Sequence, residues 1–454
     1  MRSWSLSELA VPLEGHHLGA DCTIAGVSTD SRSISSGDLF VALRGDDFDG
    51  HDYLRQAERG GAAAVLVSAD STTQLPVLRV TDTQKALGLL GAYNRLAFDG
   101  TLVAITGSGG KTTVKNMVYA VLSQCGSTLA TAGNFNNEIG VPLTLLELAP
   151  QHQFAVVEMG AARVGDISWL ATLGQPSVAV LLNALPAHLE GFGGVEQVAR
   201  AKGEIFEGLA KDDVAIINAD QPWAAQWRAS AGDARIIDFS LGEPAAVSAV
   251  DIQCHGLDGA SFTALAPLGD FPVNLQIPGI HNVANALAAI AVGVACDLSI
   301  DQIQQGLASV SSVAGRLVPA RANSGAMVID DCYNANPESV KVAIDVLAQC
   351  GGVRTLVLGA MKELGPASET MHIEVANYAK ATGIDQLWGV GEELCSAVQA
   401  FGSGGRYFSD REAAIDAVVG TFSTADTVLV KGSRGVGMET VLNALSVDKP
   451  DGGH

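Results

Sequence analysis

Residues 106–113 read TGSGGKTT, a run in which three glycines, a lysine and two threonine hydroxyls fall within seven positions. Glycines let backbone N–H groups approach phosphate oxygens, and the helix start that follows adds the positive end of its dipole. In that chemistry Lys111 reaches the β- and γ-phosphates of a nucleotide and the Thr112 hydroxyl ligates Mg²⁺. A complete GxxxxGK[ST] pattern would place glycine at position 105, where the chain has Ile105. The surroundings still argue for a shortened phosphate cradle. The run 101–106 has the apolar character of a buried strand, and apolar residues at 114, 117, 118, 121 and 122 form the stripe of a helix packed on a sheet. An ordinary glycine turn would need neither the lysine nor the hydroxyl. Gly107, Ser108, Gly109, Gly110, Lys111, Thr112 and Thr113 are therefore the expected nucleotide contacts.

Other reactive side chains lie farther along. Glu158 follows the apolar run FAVV, and Asn183, Asn218 and Asp330 stand at the ends of three more such runs. Ligands in open α/β sheets bind just beyond the carboxyl ends of strands, which draws attention to these positions. A carboxylate at 158 can hold Mg²⁺ beside phosphates, or simply cap the following helix. His188, alone in its segment, would ordinarily be a structural or surface residue. Lys202 sits in an amphipathic helical pattern, where a lysine is usually a solvated charge. Asn282 and Asn285 open another helical stretch and could cap its first turn.

The elements that must position these residues read as α/β throughout. From about residue 99, short apolar runs (LVAIT, FAVVEMG, VAVLLN, VAIIN) alternate with helical patterns, as buried parallel strands do. The pieces SFTALAPL and FPVNLQIPG, at about 240 to 278, look antiparallel instead. The segment SSVAGRLVPARANSG (311–325) has the small residues of a linker, and AMVIDD, TLVLG, LWGV and TVLVKG then alternate with helices again. The first 83 residues are small strands and turns. Three domains are expected: a small α/β unit at 1–83, a central mostly parallel sheet at 84–313 and a Rossmann-like unit at 314–454. The tail DKPDGGH is expected to be disordered.

With 454 residues, 48% hydrophobic and only 17% charged, the chain is of the compact globular class. A net charge of −22 disfavours nucleic acid or an anionic membrane as main partner. No run reaches 18 apolar residues, so no membrane insertion is expected, and the N-terminus lacks the apolar segment of a secretion signal. A cytoplasmic location follows. Seven scattered cysteines without a CxxC pair argue against a disulfide framework or a zinc site; small buried thiols are expected.

The TGSGGKTT loop resembles that of the Mur ligase family, whose TGxxGKT[TS] loop also lacks the earlier glycine. The resemblance extends over most of the chain. NALPAHLEG is similar to the family's N-x-x-x-x-H segment, matching Asn183 and His188, and implies that His188 contacts a second metal ion. AKGEI implies that Lys202 is carbamylated and serves as a negatively charged metal ligand. At an unperturbed pKa near 10.4, roughly one lysine in a few thousand is neutral at pH 7, so the metal would have to trap the carbamate. HNVAN implies that His281, Asn282 and Asn285 lie beside the nucleotide, and VAGRLVP that Arg316 lies near the ATP phosphates. DDCYNANPES implies Asp331 and Tyr333 near ribose and adenine and Asn336 near the nucleotide; Cys332 is assigned no reactivity.

Within the family, YNANP, LGAMKELG and AGNFNNEIGVPLTLL resemble the type that adds D-alanyl-D-alanine to UDP-N-acetylmuramoyl-tripeptide in peptidoglycan synthesis, with Asn136 and Asn137 as substrate contacts. LGAMKELG departs in having Ala360 where the family commonly has Asp. TDSR and GDLFVALRGDDFDGHDYL resemble the family's UDP-binding domain, implying that Ser31 and Arg32 contact the nucleotide sugar. The resemblance implies a monomeric ATP-dependent ligase with Lys111, Glu158, His188 and Lys202 as catalytic residues. It also implies two Mg²⁺ ions, one held by Thr112 and Glu158, the other by His188 and carbamylated Lys202. Two alternatives stay open. One is a sister ligase for diaminopimelate or lysine, or a folylpolyglutamate synthase-like enzyme, whose YAHTPD, DNPR and DGAHNP-type segments are absent here. The other is a P-loop ATPase switch, which would need no AKxEI, HNxxN or YNANP segment.

Overall fold

The structure, a computed structural model, describes residues 1–70, 72–186, 189–445 and 447–448. His188 and nearly all of the tail lie outside the described residues. Three main sheets organise the chain, each with its own apolar core.

The central sheet has nine strands, ordered 271–275, 260–265, 247–254, 235–240, 214–218, 178–181, 101–106, 154–158, 128–130. The strands from 247–254 to 128–130 run parallel, and the two beyond them antiparallel. Thr101–Thr106 lies between 154–158 and 178–181, with Glu158 opposite Ile105 and Leu181 opposite Thr106. This register brings the segments after 106, 158 and 181 to one edge of the sheet. Lys111–Leu122 is a helix, and Val114, Met117, Val118, Val121 and Leu122 are fully buried on it. They pack with the apolar helix Ile280–Ala295, whose first turn thereby reaches the same edge. Each such side chain contributes about 1.5–3 kcal/mol on burial, so the stripe anchors the loop that precedes it.

The N-terminal sheet has five strands, 16–18, 77–79, 64–67, 38–41 and 26–28 in order. The C-terminal sheet has seven, ordered 405–408, 386–390, 354–359, 427–431, 327–331, 318–322, 447–448. Here the linker expectation for 311–325 is corrected. Val318–Ala322 is a strand paired antiparallel with 327–331, and the connection between the two units without helix or strand is 309–317. Pro319 and the small residues disguised it; near a sheet edge a proline is tolerated. The cysteine expectation also needs correction: all seven are free, but only Cys332 is buried, while Cys125 and Cys254 are exposed. Among the described residues no helix is long and apolar enough to cross a membrane.

Candidate active site

A cavity of about 1030 Å³ opens at the carboxyl edge of the central sheet and extends to the C-terminal sheet. It is lined by every expected nucleotide contact from Gly107 to Thr113, and by Asn136, Asn137, Glu158 and Lys202. Asn282, Asn285, Arg316, Asp331, Tyr333 and Asn336 complete the expected set there. Asn183 and Asn218 also line it, whereas Asp330 does not. Ser31 and Arg32 stand apart on a turn of the N-terminal unit, where the exposed Arg32 guanidinium donates to both Asp30 carboxylate oxygens at 2.9 and 2.8 Å.

The phosphate loop is fixed from both sides. Gly110 is the residue before the helix, with φ +81, and a Cβ there would lie 2.7 Å from Asn285 Oδ1. Replacing Gly110 by alanine should therefore cost about 1–2 kcal/mol for the left-handed backbone and push Asn285 away. The expected result is a lower melting temperature together with weaker ATP binding in calorimetry; unchanged binding would contradict the need for this turn. Asn183 holds the other side: its Oδ1 accepts from Gly109 N–H at 2.9 Å, and its Nδ2 donates to Gly109 O at 3.2 Å. Ser108 Oγ donates to Leu185 O at 3.3 Å.

Lys111 Nζ donates to Gly107 O at 2.8 Å, curling back over the loop. Burial pushes its pKa down, with the Glu158 charge opposing and Arg316 adding to the fall. Glu158 is 2% exposed at its strand end. Its carboxylate accepts from Thr112 Oγ1 at 3.0 Å and from Asn136 Nδ2 at 2.8 Å, so it caps no helix. A buried carboxylate beside a hydroxyl is a hard oxygen pair that suits Mg²⁺. Among the described residues no group of three or more His, Cys, Asp or Glu could hold a metal alone. Phosphate oxygens and water would have to complete the shell, as is usual for Mg²⁺ at nucleotides.

Lys202 is 3% exposed, which overturns the ordinary reading of a solvated lysine. Its pKa is pushed down to about 7, first by burial and then by Lys111, with Glu204 and Asp166 opposing. Its ammonium lies 6.0 Å from the Phe192 ring centroid. Near pH 7 about half of such amines are neutral, so the scarcity argued from an unperturbed lysine no longer holds.

The C-terminal side contributes a second charged group. Arg316 NH2 donates to Thr112 Oγ1 at 3.0 Å, and its guanidinium lies 4.3 Å from the Tyr333 ring centroid. Arg316 Nε is buried without a hydrogen-bond partner, a donor available to an anion. Lys431 Nζ, at the end of strand 427–431, donates to Asp331 Oδ2 at 2.6 Å and to Asn334 O at 2.9 Å. His281 is held neutral, its pKa pushed down to about 4 by burial and then by Lys431. Asn282 and Asn285 do not cap their helix. Asn282 Nδ2 donates to Pro278 O at 2.7 Å, and Asn285 Nδ2 to Asn282 Oδ1 at 2.9 Å. Asn336 does cap one, accepting from Ser339 N–H at 2.9 Å at the start of Pro337–Ala348. The sequence reading passed over Lys431, although it ends an apolar run just as Glu158 does.

Comparison with known proteins agrees with this geometry. Residues 105–293 match the family described as Mur ligase middle domain. Residues 315–434 match the Mur ligase glutamate ligase domain, and 23–94 the Mur ligase family catalytic domain. The UDP-N-acetylmuramoyl-tripeptide–D-alanyl-D-alanine ligase of Escherichia coli (strain K12) is 44% identical over 450 residues, covering 98% of this chain and 99% of that protein. A crystal structure of MurF from Acinetobacter baumannii superposes with a TM-score of 0.93 at 35% identity, covering 98% of this chain and 99% of that one. MurF ligase from Thermotoga maritima in complex with ADP gives a TM-score of 0.82 at 30% identity, over 92% and 96% of the two chains.

Proposed function

The chain belongs to the Mur ligase family, and from that premise we propose that it is the ATP-dependent ligase that joins D-alanyl-D-alanine to UDP-N-acetylmuramoyl-tripeptide in peptidoglycan precursor synthesis. The observation that carries this reading is a single cavity in which the phosphate loop of one sheet faces the YNANP segment of another. Full-length similarity to relatives that bear that name fixes the choice of substrates.

A carboxylate does not condense with an amine in water until one of its oxygens becomes a leaving group. The terminal carboxylate of the UDP-tripeptide attacks the γ-phosphorus of ATP, ADP leaves, and an acyl phosphate forms. Lys111 and Arg316 offset the negative charge that gathers as the two anions meet. Thr112 and Glu158 would hold one Mg²⁺, which supplies Lewis-acid charge at the phosphates. The amine of D-alanyl-D-alanine then attacks the acyl carbon, and phosphate departs with one oxygen of the original carboxylate. An α-amino group of pKa near 8 is roughly one-tenth neutral at pH 7, so no strong base is required. Ser31 and Arg32 would hold the UDP end, and Asn136 and Asn137 the substrate beside Glu158.

The same proposal includes a carbamate on Lys202, which with His188 would hold a second Mg²⁺. Its support is the buried amine with a pKa near 7. Carbamate forms only on the neutral amine, so ¹³C-bicarbonate should label the protein well at pH 8 and progressively less as pH falls through 7 to 6. Lys202→Met should lack the ¹³C NMR signal and lose activity about 10²-fold or more. An equal signal in the variant would contradict the assignment. Domains at 1–83, 84–313 and 314–454, supported by the three separate main sheets, complete the proposal together with a monomeric state and a cytoplasmic location.

The test is acceptor dependence. With ATP and the UDP-tripeptide, phosphate release should require D-alanyl-D-alanine. Release driven by diaminopimelate would transfer the chain to the sister ligase, and release without any acceptor would favour the ATPase switch.

A further inference from the structure

Lys115 lies one helical turn beyond Lys111, and nothing in the chemistry above gives it a part. It is 4% exposed, and its ammonium donates to Thr131 O at 2.8 Å and to Gly133 O at 3.1 Å. A buried ammonium is costly unless its hydrogen bonds are met, and here two backbone carbonyls of the segment 131–137 accept them.

That segment grips Glu158 at two points. Thr131 Oγ1 accepts from the Glu158 N–H at 3.0 Å, and Asn136 Nδ2 donates to Glu158 Oε1 at 2.8 Å. Asn136 O in turn accepts from Gly160 N–H at 2.7 Å, just past the strand end. Lys115 therefore fastens the segment that aims Glu158 to the helix that carries Lys111 and Thr112. It also lies within electrostatic reach of the carboxylate, whose charge opposes the fall that burial imposes on the lysine pKa.

We propose that Lys115 is a positioning residue for the metal end of the site: its ammonium locks residues 131–137 against the phosphate-loop helix and so fixes the Glu158 carboxylate beside Thr112. The proposal rests on the reading of the cavity as a nucleotide site. A neutral side chain at 115 would leave the Thr131 and Gly133 carbonyls without their donor. Asn136 would then loosen, and with it Glu158, while the phosphate loop itself keeps its Asn183 and Asn285 supports.

Lys115→Met and Thr131→Ala, each in the full chain, test this by two routes. Metal-free ADP binding is measured by calorimetry, and Mn²⁺ binding to the ADP-loaded protein by its electron paramagnetic resonance signal. For both variants ADP affinity should stay within about twofold of the unmodified protein, while Mn²⁺ affinity falls at least tenfold. In turnover, kcat should drop at saturating substrates, with the KM for D-alanyl-D-alanine within threefold. Unchanged Mn²⁺ affinity in either variant overturns the proposal. So does a parallel fall in ADP and Mn²⁺ affinity together with melting temperature, the mark of a merely structural lysine. If Lys115→Met does not fold, Lys115→Gln decides by the same two measurements, since it keeps a polar side chain but is too short to bridge the Thr131 and Gly133 carbonyls, while Thr131→Ala tests the segment's grip on Glu158. Failure of the unmodified protein to bind ADP would instead remove the nucleotide reading beneath both.

Discussion

Replacing Lys111 by alanine is expected to lower turnover about 10³-fold without unfolding the protein. The ammonium is anchored to Gly107 O within the phosphate loop, where it meets the charge that grows as carboxylate and triphosphate approach. Removing one such preorganised donor costs about 10²–10³ in rate, or roughly 2.7–4 kcal/mol. A cation whose shift is led by burial should sit at the upper end of that range. The same burial makes the charge a burden on the folded state, so the melting temperature should not fall. Steady-state kinetics at saturating substrates with a thermal melt checks both halves. A loss under tenfold would mean that Lys111 is only a structural brace for the loop.

Glu158→Gln should be nearly as damaging, by about 10²-fold, and through a different signature. The substitution keeps the shape and leaves Thr112 and Asn136 able to hydrogen-bond, but it removes the buried negative charge that faces the Thr112 hydroxyl. The Mg²⁺ concentration for half-maximal rate should rise at fixed ATP. A rate loss without a change in Mg²⁺ requirement would place the metal elsewhere.

How much of this could be read from the sequence depended on whether a residue's setting was local. The strand 101–106 and the helix stripe at 114, 117, 118, 121 and 122 were legible because one periodic segment encodes them, and they emerged at the expected positions. The buried state of Lys202 was not, because its helix pattern resembles any solvated amphipathic face, and only the packed sheet edge encloses it. Lys115 carried a usable signal: positions 111, 115, 118 and 122 share one helix face, so a lysine at 115 points toward the core side. The hydrogen bonds of Asn183 to Gly109 join residues 74 positions apart and could come only from the fold. The strand at 318–322 was missed because its proline and small residues read as linker composition, although its antiparallel partner 327–331 follows directly in the chain.

The central claim is that this cavity moves the γ-phosphate of ATP onto a substrate carboxylate. UDP-N-acetylmuramoyl-tripeptide labelled with ¹⁸O in its terminal carboxylate, turned over with ATP and D-alanyl-D-alanine, tests it directly by mass spectrometry of the released phosphate. The account predicts one ¹⁸O atom in each phosphate, carried over when the acyl carbon is attacked. Phosphate that takes its new oxygen only from water would contradict it.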